Sequence, residues 1–335
     1  MLTFLKTLVI AVLSLLGIFA TETEHNTPID TQHGGDPMIV EEDGRCYYTF
    51  TTGGGIDIRE IVAFDDTTEV AVQTVYWSGN DGIAGDIWAP ELHKIDGKWY
   101  ILASARFDEN AVARGVMPEG SADEDHGDYY RYGFVLESES GDIWGPYTFK
   151  GILAPDGLNN IDGTYLQKDG KLYFVSSAYM SVGNQHLYIC EMENPFTLKA
   201  DDDGKNNAVC LSSPVFSWEK QGWRVNEGPA VLYHEDDIFL VYSASGFSSG
   251  NYCLGMLTLT GDDVLNACNW QKSIVPVHYN QPKNNIYNAG HCSFLYRADG
   301  SIRMVYHATP TKDFNDSPRL TYIKEVQFKS GVPLF

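Results

Sequence analysis

The chain has 335 residues, with 23 Lys plus Arg against 45 Asp plus Glu, a formal net charge of −22. Gripping nucleic acid needs clustered cations that displace phosphate counterions, and docking on anionic lipid needs a basic face, so this balance argues against both. It suits a neutral or cationic small substrate or an uncharged polymer. With 43% hydrophobic and 13% aromatic residues the chain can bury a sizeable core, and its 32 Gly and 20 Tyr lean towards β structure.

Residues 1–20 differ from the rest. Lys6 is followed by a nearly unbroken apolar run, Leu8 to Phe19, then Ala20 and the polar Thr21-Glu22-Thr23-Glu24. A short positive region, an apolar stretch and a small residue at its end read as a secretory signal. A membrane anchor is the alternative, but the run is shorter than the roughly 20 residues needed to span. The expectation is a signal over 1–20, an N-terminal segment over 21–32, and one secreted domain over 33–335. Six cysteines follow, Cys46, Cys190, Cys210, Cys253, Cys268 and Cys292. An even number in a secreted chain suggests disulfides, yet none forms a CxxC pair and a chain this long can fold without them. The sequon Asn315-Asp316-Ser317 is followed by Pro318, which disfavours its use.

One pattern recurs five times: a polar-led apolar strand, an acidic or Gly turn, then a strand rich in aromatics that ends in small residues. The copies are Asp36–Thr52, Ala89–Ala105, Asp162–Ala178, Glu227–Ser245 and His291–Ala308. Their turns are Asp43-Gly44, Asp96-Gly97, Asp169-Gly170, Asp236-Asp237 and Asp299-Gly300. Asp-Gly between alternating apolar runs is the strongest short hairpin signal a sequence offers. Further strands between the hairpins are expected at Tyr132–Glu137, His186–Glu191 and Tyr252–Leu259. Units of about four strands repeated radially make a β-propeller, so the pattern predicts an all-β, five-bladed propeller. A β-sandwich would not explain why every copy keeps the same internal order.

In a propeller the first strand of each blade lines the central channel. The residues that open the repeats should then meet at one end: Asp36, Trp88-Ala89-Pro90-Glu91, Asp162, Glu227 and His291. Acids ahead of strands are common in turns, but three of these five openings are carboxylates. Converging carboxylates, without a P-loop or a Gly-x-Ser-x-Gly, point to acid–base chemistry such as glycoside hydrolysis. Like charges held close raise one pKa, which keeps that carboxyl protonated as an acid.

Several segments in order resemble glycoside hydrolase family 43. They are Gly35-Asp36-Pro37, Trp88-Ala89-Pro90-Glu91, Ile161-Asp162-Gly163, Asn226-Glu227-Gly228-Pro229, Gly290-His291-Cys292-Ser293 and Tyr306-His307-Ala308. The closing Phe328-Lys329-Ser330-Gly331-Val332-Pro333 is similar to the tail of the secreted α-L-arabinofuranosidase branch, and the likeness runs from about residue 33 to 335. The resemblance implies a five-bladed propeller of inverting glycosidases with Asp36 as general base, Glu227 as general acid and Asp162 tuning and positioning the acid. Inversion leaves room for a water between acid and base, roughly 6.5–9.5 Å. It also implies substrate contacts from His291 and from Arg319, which would match an arginine touching the acid and the sugar.

No cofactor is required. The family sometimes holds calcium or another ion by a channel histidine, which makes His291 a candidate metal ligand, with a buried hydrogen-bonded histidine as the alternative. Trp88, beside the Ala-Pro-Glu turn, is expected to face the sugar, whereas Phe50 reads as core and Glu91 as a structural acid bonding backbone. The acidic stretch within Phe107–Tyr130 reads as a solvated loop or, alternatively, a rim restricting substrate entry. Asp201-Asp202-Asp203-Gly204 reads as a turn, because it lacks calcium-loop spacing.

The implied activity is release of α-L-arabinofuranosyl residues from arabinan or arabinose-decorated polysaccharide by a secreted monomer. Many β-D-xylosidases of the family carry an added β-sandwich, and the chain ends too soon after the fifth repeat to hold one. β-D-Xylosidase, endo-arabinanase and a non-catalytic sugar-binding propeller are the alternatives. A related fructan-cleaving group shows Arg-Asp-Pro and Asn-Asp-Pro-Asn segments, from which Asn160-Ile161-Asp162-Gly163 and Gly34-Gly35-Asp36-Pro37 depart.

Overall fold

Asp43-Gly44, Asp96-Gly97 and Asp169-Gly170 each take left-handed backbone at both turn positions, with φ of 50° and 75°, 49° and 80°, and 53° and 74°. That is the mirror-image turn whose twist matches antiparallel strands, and Asp and Gly reach it most cheaply. The computed structural model describes residues 27–108, Ala111 and residues 131–335. The expected signal over 1–20, residues 21–26 of the N-terminal segment and most of Phe107–Tyr130 lie outside the described residues.

The first blade is β1 (Met38–Glu42), β2 (Arg45–Thr49), β3 (Gly55–Ala63) and β4 (Asp66–Trp77), hydrogen-bonded in that order. The second is β5 (Ile83–Ile95), β6 (Lys98–Phe107), β7 (Arg131–Ser138) and β8 (Tyr147–Leu153). The third runs β9 (Asn160–Lys168), β10 (Lys171–Ser181) and β11 (Asn184–Asn194), with the short β12 (Thr197–Leu198) and β13 (Val209–Ser212) both on β11. The fourth is β14 (Arg224–His234), β15 (Asp237–Ala244), β16 (Cys253–Leu259) and β17 (Trp270–Lys272). The fifth holds β18 (Tyr287–Tyr296), β19 (Ile302–Thr309) and β20 (Leu320–Glu325), and the hairpin β21 (Gln327–Lys329) and β22 (Val332–Leu334) follows.

The fourth turn sits one residue earlier than the sequence suggests. Glu235 takes φ 52°, and Asp237 already pairs with His234 as the first residue of β15. The fifth is a longer loop, because β18 and β19 close at Tyr296 and Ile302.

The apolar residues form five core clusters, one between each pair of successive blades. Ile39, Tyr48 and Phe50 of the first blade pack against Leu295, Val305 and Ile323 of the last, so the ring of clusters closes. This explains why the middle strand β6 is buried along almost its whole length, with apolar side chains on both faces rather than alternating. Ile29 donates to the Thr321 carbonyl at 2.8 Å and Thr321 donates back to Asp30 at 3.2 Å, tying the chain ahead of β1 to the last blade. The inner strands β1, β5, β9, β14 and β18 together line one cavity of about 540 Å³. The molecule is a five-bladed β-propeller. No helix among the described residues is long and apolar enough to cross a membrane. All six cysteines are free; Cys46, Cys190, Cys253 and Cys292 are buried among the inter-blade cores and Cys268 is exposed.

Candidate active site

Where each inner strand reaches the cavity its backbone turns left-handed, at Asp36 with φ 56°, Ala89 with 46°, Asp162 with 56°, Gly228 with 51° and His291 with 44°. Bulges accompany them between Trp88 and Glu91, between Glu227 and Ala230, and between Gly290 and Cys292. A bulge breaks the two-residue alternation and re-aims side chains, here into the channel mouth. Left-handed backbone costs a non-glycine residue about 1–2 kcal/mol, and such strain concentrates where geometry serves function. The result is a cavity of about 300 Å³ lined by Asp36, Trp88, Asp162, Glu227, His291 and Arg319 together with Tyr252 and Trp223. All six residues singled out in the sequence therefore share one cavity.

Asp36 is held from all sides. Arg319 Nη1 donates to its Oδ1 at 2.8 Å, Thr51 Oγ1 donates to its Oδ2 at 2.7 Å, and His291 Nδ1 lies 3.2 Å from Oδ1. Burial alone would push this carboxyl up. Arg319, then His291, and the Thr51 hydroxyl outweigh burial and hold Asp36 well below the usual carboxylate range. The Asp36 backbone N–H donates to His307 Nδ1 at 3.3 Å. Burial, with Arg319 beside it, pushes His307 well below its ordinary value, so the ring is neutral with its proton on Nε2.

Glu227 and Asp162 are tuned the other way. Burial pushes Glu227 up to about 7, opposed by the Tyr252 hydroxyl that donates to its Oε1 at 2.8 Å and reinforced by the charge of Asp36. Burial likewise pushes Asp162 up to about 7, against the pull of His291 and with the added push of Glu227 and Asp36. The Gly228 N–H donates to Asp162 Oδ2 at 3.0 Å, joining the backbone after Glu227 to the neighbouring carboxylate. Two carboxyls that interact this closely titrate as a pair and retain protons towards neutrality. Beside them stands an ionised third.

His291 lies between the two sides, with Nδ1 also 3.9 Å from Asp162 Oδ2 and its backbone N–H donating to Ser243 Oγ at 2.8 Å. Its imidazole is engaged with these carboxylates, and no cluster of three ligating side chains occurs among the described residues.

Trp88 lies over Arg131, whose guanidinium carbon is 3.6 Å from the ring centroid. Arg131 is itself fixed by Asp86 at 3.1 Å, so one face of the indole is covered by a held cation while Trp88 lines the cavity. Phe50 is buried between blades, as its sequence context suggests.

Two expectations change. Arg319 was expected at the acid, but its guanidinium donates to Asp36, the carboxyl that stays charged and can bind it most strongly. Glu91 does not bond backbone; its Oε2 lies 2.7 Å from His93 Nε2, and it lines the cavity at the other end of the channel. Thr51, Tyr252, His307 and Trp223 were missed as site residues. Thr51 is the next-to-last residue of the first repeat and His307 lies in a quoted segment, so position within the repeat could have found both. Tyr252 heads an expected third strand of its blade and Trp223 sits on a connection, and neither position carries the signal that recurs in the repeats.

The family model for glycosyl hydrolases family 43 matches residues 25–333. The chain is 33% identical to the extracellular exo-α-(1→5)-L-arabinofuranosidase of Streptomyces avermitilis over 99% of this chain and 69% of that protein. It is also 33% identical to α-L-arabinofuranosidase 43 of Humicola insolens, over 90% of this chain but only 61% of that protein's length. The crystal structure of an α-L-arabinofuranosidase from Lactobacillus brevis superposes with a TM-score of 0.78 at 31% identity, covering 92% of this chain and 95% of the other. A five-bladed ring with three carboxylates at the channel mouth and a family match spanning nearly every described residue lead to one assignment: the chain belongs to glycosyl hydrolase family 43.

Proposed function

We propose that the protein acts outside the cell, cleaving terminal α-L-arabinofuranosyl residues from arabinan or arabinose-bearing plant polysaccharide with inversion at the anomeric carbon. One observation carries the chemistry: three carboxyls share a buried cavity, with Asp36 held well below the carboxylate range and Glu227 pushed up to about 7. A base that is always charged beside an acid that keeps its proton is the division of labour hydrolysis needs. The names of the relatives support arabinofuranose as the sugar, and the Leu8–Phe19 run together with the word extracellular in one of those names supports secretion.

In this reading Asp36 accepts a proton from a water that attacks the anomeric carbon. The new C–O bond forms as the glycosidic C–O bond breaks, and Glu227 gives its proton to the leaving oxygen. Solvent then returns a proton to Glu227 and removes one from Asp36. Asp162 holds the backbone after Glu227 through the Gly228 N–H, while burial and the charge of Asp36 keep the acid protonated. Arg319 and Thr51 fix the two oxygens of the base, His291 spans base and Asp162, and the indole of Trp88 offers an apolar wall to a sugar ring.

The test is turnover of an aryl α-L-arabinofuranoside against an aryl β-D-xyloside, with the first product's anomer followed by NMR and the products from linear 1,5-arabinan separated. Preferential arabinoside turnover, an inverted anomer and arabinose alone are expected. Preference for xyloside, retention or oligomeric products would replace the corresponding part. Glu227→Gln should lose about 10²–10⁴-fold in kcat while remaining folded.

A further inference from the structure

The catalytic cavity has a charged inner end and an apolar outer one. Asp36, Asp162, Glu227, His291 and Arg319 stand at the first; Val182, Trp223 and Phe247 belong to the second. Trp223 is 49% exposed and Val182 69% exposed. Leaving an indole half in water forgoes burial of one of the largest apolar side chains, so its fixed placement calls for a reason.

Trp223 is seated by its surroundings. Its N–H donates to the Gln221 carbonyl at 2.9 Å, and the next residue's N–H donates to the Gly183 carbonyl at 2.9 Å. A Cβ on Gly183 would lie 3.2 Å from Cδ1 and 3.3 Å from Cγ of the indole, so the ring rests against backbone that only glycine leaves open. Gly246 borders the backbone of the same residue, with a Cβ there 3.4 Å from the Trp223 backbone nitrogen. Phe247 meets the ring edge-on at 6.3 Å and is itself braced by Phe314 at 5.0 Å.

We propose that Trp223, with Val182 and Phe247 beside it, is the platform for the leaving-group sugar and sets a preference for a neutral glycan over a small alcohol as leaving group. An apolar platform with no charged side chain matches the C–H faces of an uncharged furanose or pyranose, and it continues the cavity that holds the acid, Glu227. Trp223 touches the departing part of the substrate and takes no part in proton transfer. The inference rests on the glycosidase reading and adds to it the residue that selects what leaves.

Trp223→Ala is compared with wild type on 1,5-linked arabinotriose and on methyl α-L-arabinofuranoside, whose leaving group is too short to reach the ring. The expected result is a fall of about 10-fold or more in kcat/KM on the triose, carried mainly by KM, with the methyl glycoside within about 2-fold. Trp223→Phe should restore most of the triose activity. Gly183→Ala, which crowds the ring without removing it, should reproduce the triose-specific loss. An equal loss on both substrates, or no loss on either, overturns the platform. If wild type turns over neither substrate, the glycosidase reading fails, and titrating Trp223→Phe against wild type with arabino- and xylo-oligosaccharides by indole fluorescence still decides. A sugar-induced change in indole emission that persists undiminished in Trp223→Phe would then overturn the platform as well.

Discussion

At Glu227 the same burial that prepares an acid also stores an instability. The carboxyl titrates at an ordinary 4.5 when unfolded and is pushed up to about 7 in the fold, chiefly by burial. A group raised in this way contributes stability that is fully present below its unfolded value and is lost as pH rises through its folded one. Gln at this position is neutral throughout and has nothing to lose. We therefore expect Glu227→Gln to melt close to wild type at pH 5 and several degrees above it at pH 8, a difference on the order of 2 kcal/mol. Asp36 runs with the opposite sign. Its carboxyl is lowered, so what it contributes is present above 3.8 and fades only as the solution becomes strongly acid. Calorimetry of both proteins at the two pH values decides, and equal shifts at pH 5 and pH 8 would show that Glu227 is not the group being titrated. Asp36, Asp162 and Glu227 were legible as a set because each opens a repeat. Their division into low and raised carboxyls was not legible from the repeats themselves, because it depends on Arg319 beside Asp36 and on the depth of burial.

At the level of strands, three hairpins could be read almost to the residue because Asp-Gly supplies the left-handed backbone their turns need. The bulged starts of the inner strands were harder to see. Asp, His and Gly tolerate positive φ and so hint at it in Asp36, Asp162, His291 and Gly228, but Ala89 takes the same conformation with no such signature. What forces it is the ring itself. Gly290 shows how closely these bulges are built. A Cβ there would lie 2.3 Å from Cε1 of Tyr252, the ring that donates to Glu227 and stacks on His307 at 5.7 Å. Gly290→Ala should push Tyr252 off the acid, costing about 1–3 kcal/mol of stability from overpacking and at least about 10-fold in activity. Gly300→Ala is the matching control. It lies in the outer loop of the same hairpin at φ 84° with nothing within 4 Å, so it should cost stability alone. Unaltered activity in Gly290→Ala would mean that Tyr252 does not position the acid.

For the whole molecule, the repeats told how many blades there are, and ring closure then brings together residues as distant in sequence as Asp36 and Arg319. What repeats could not reveal is how neighbouring blades are fastened, because the fasteners are single residues that do not recur from blade to blade. One lies directly behind the acid, between the third and fourth blades. Glu219 is fully buried, and its Oε1 accepts from Lys272 at 2.6 Å, Asn226 at 2.9 Å and Tyr242 at 3.0 Å, while Oε2 accepts from the Val215 and Phe216 N–H groups at 2.8 Å. Lys272 comes from β17 of the fourth blade and also donates to the Ser213 carbonyl at 2.7 Å, just beyond β13 of the third. Asn226 immediately precedes Glu227, so the ion pair holds the start of the strand that carries the acid. Removing one partner leaves the other charge buried and unmatched, which costs far more than removing both. Lys272→Met should therefore destabilise by about 3–5 kcal/mol and lower kcat, whereas adding Glu219→Gln to it should recover a measurable part of that stability. Urea unfolding of the two single variants and the double gives the coupling. Costs that simply add would show that the pair does not act as a unit, and kcat recovering together with stability would show that blade alignment, rather than either charge, is what the acid requires.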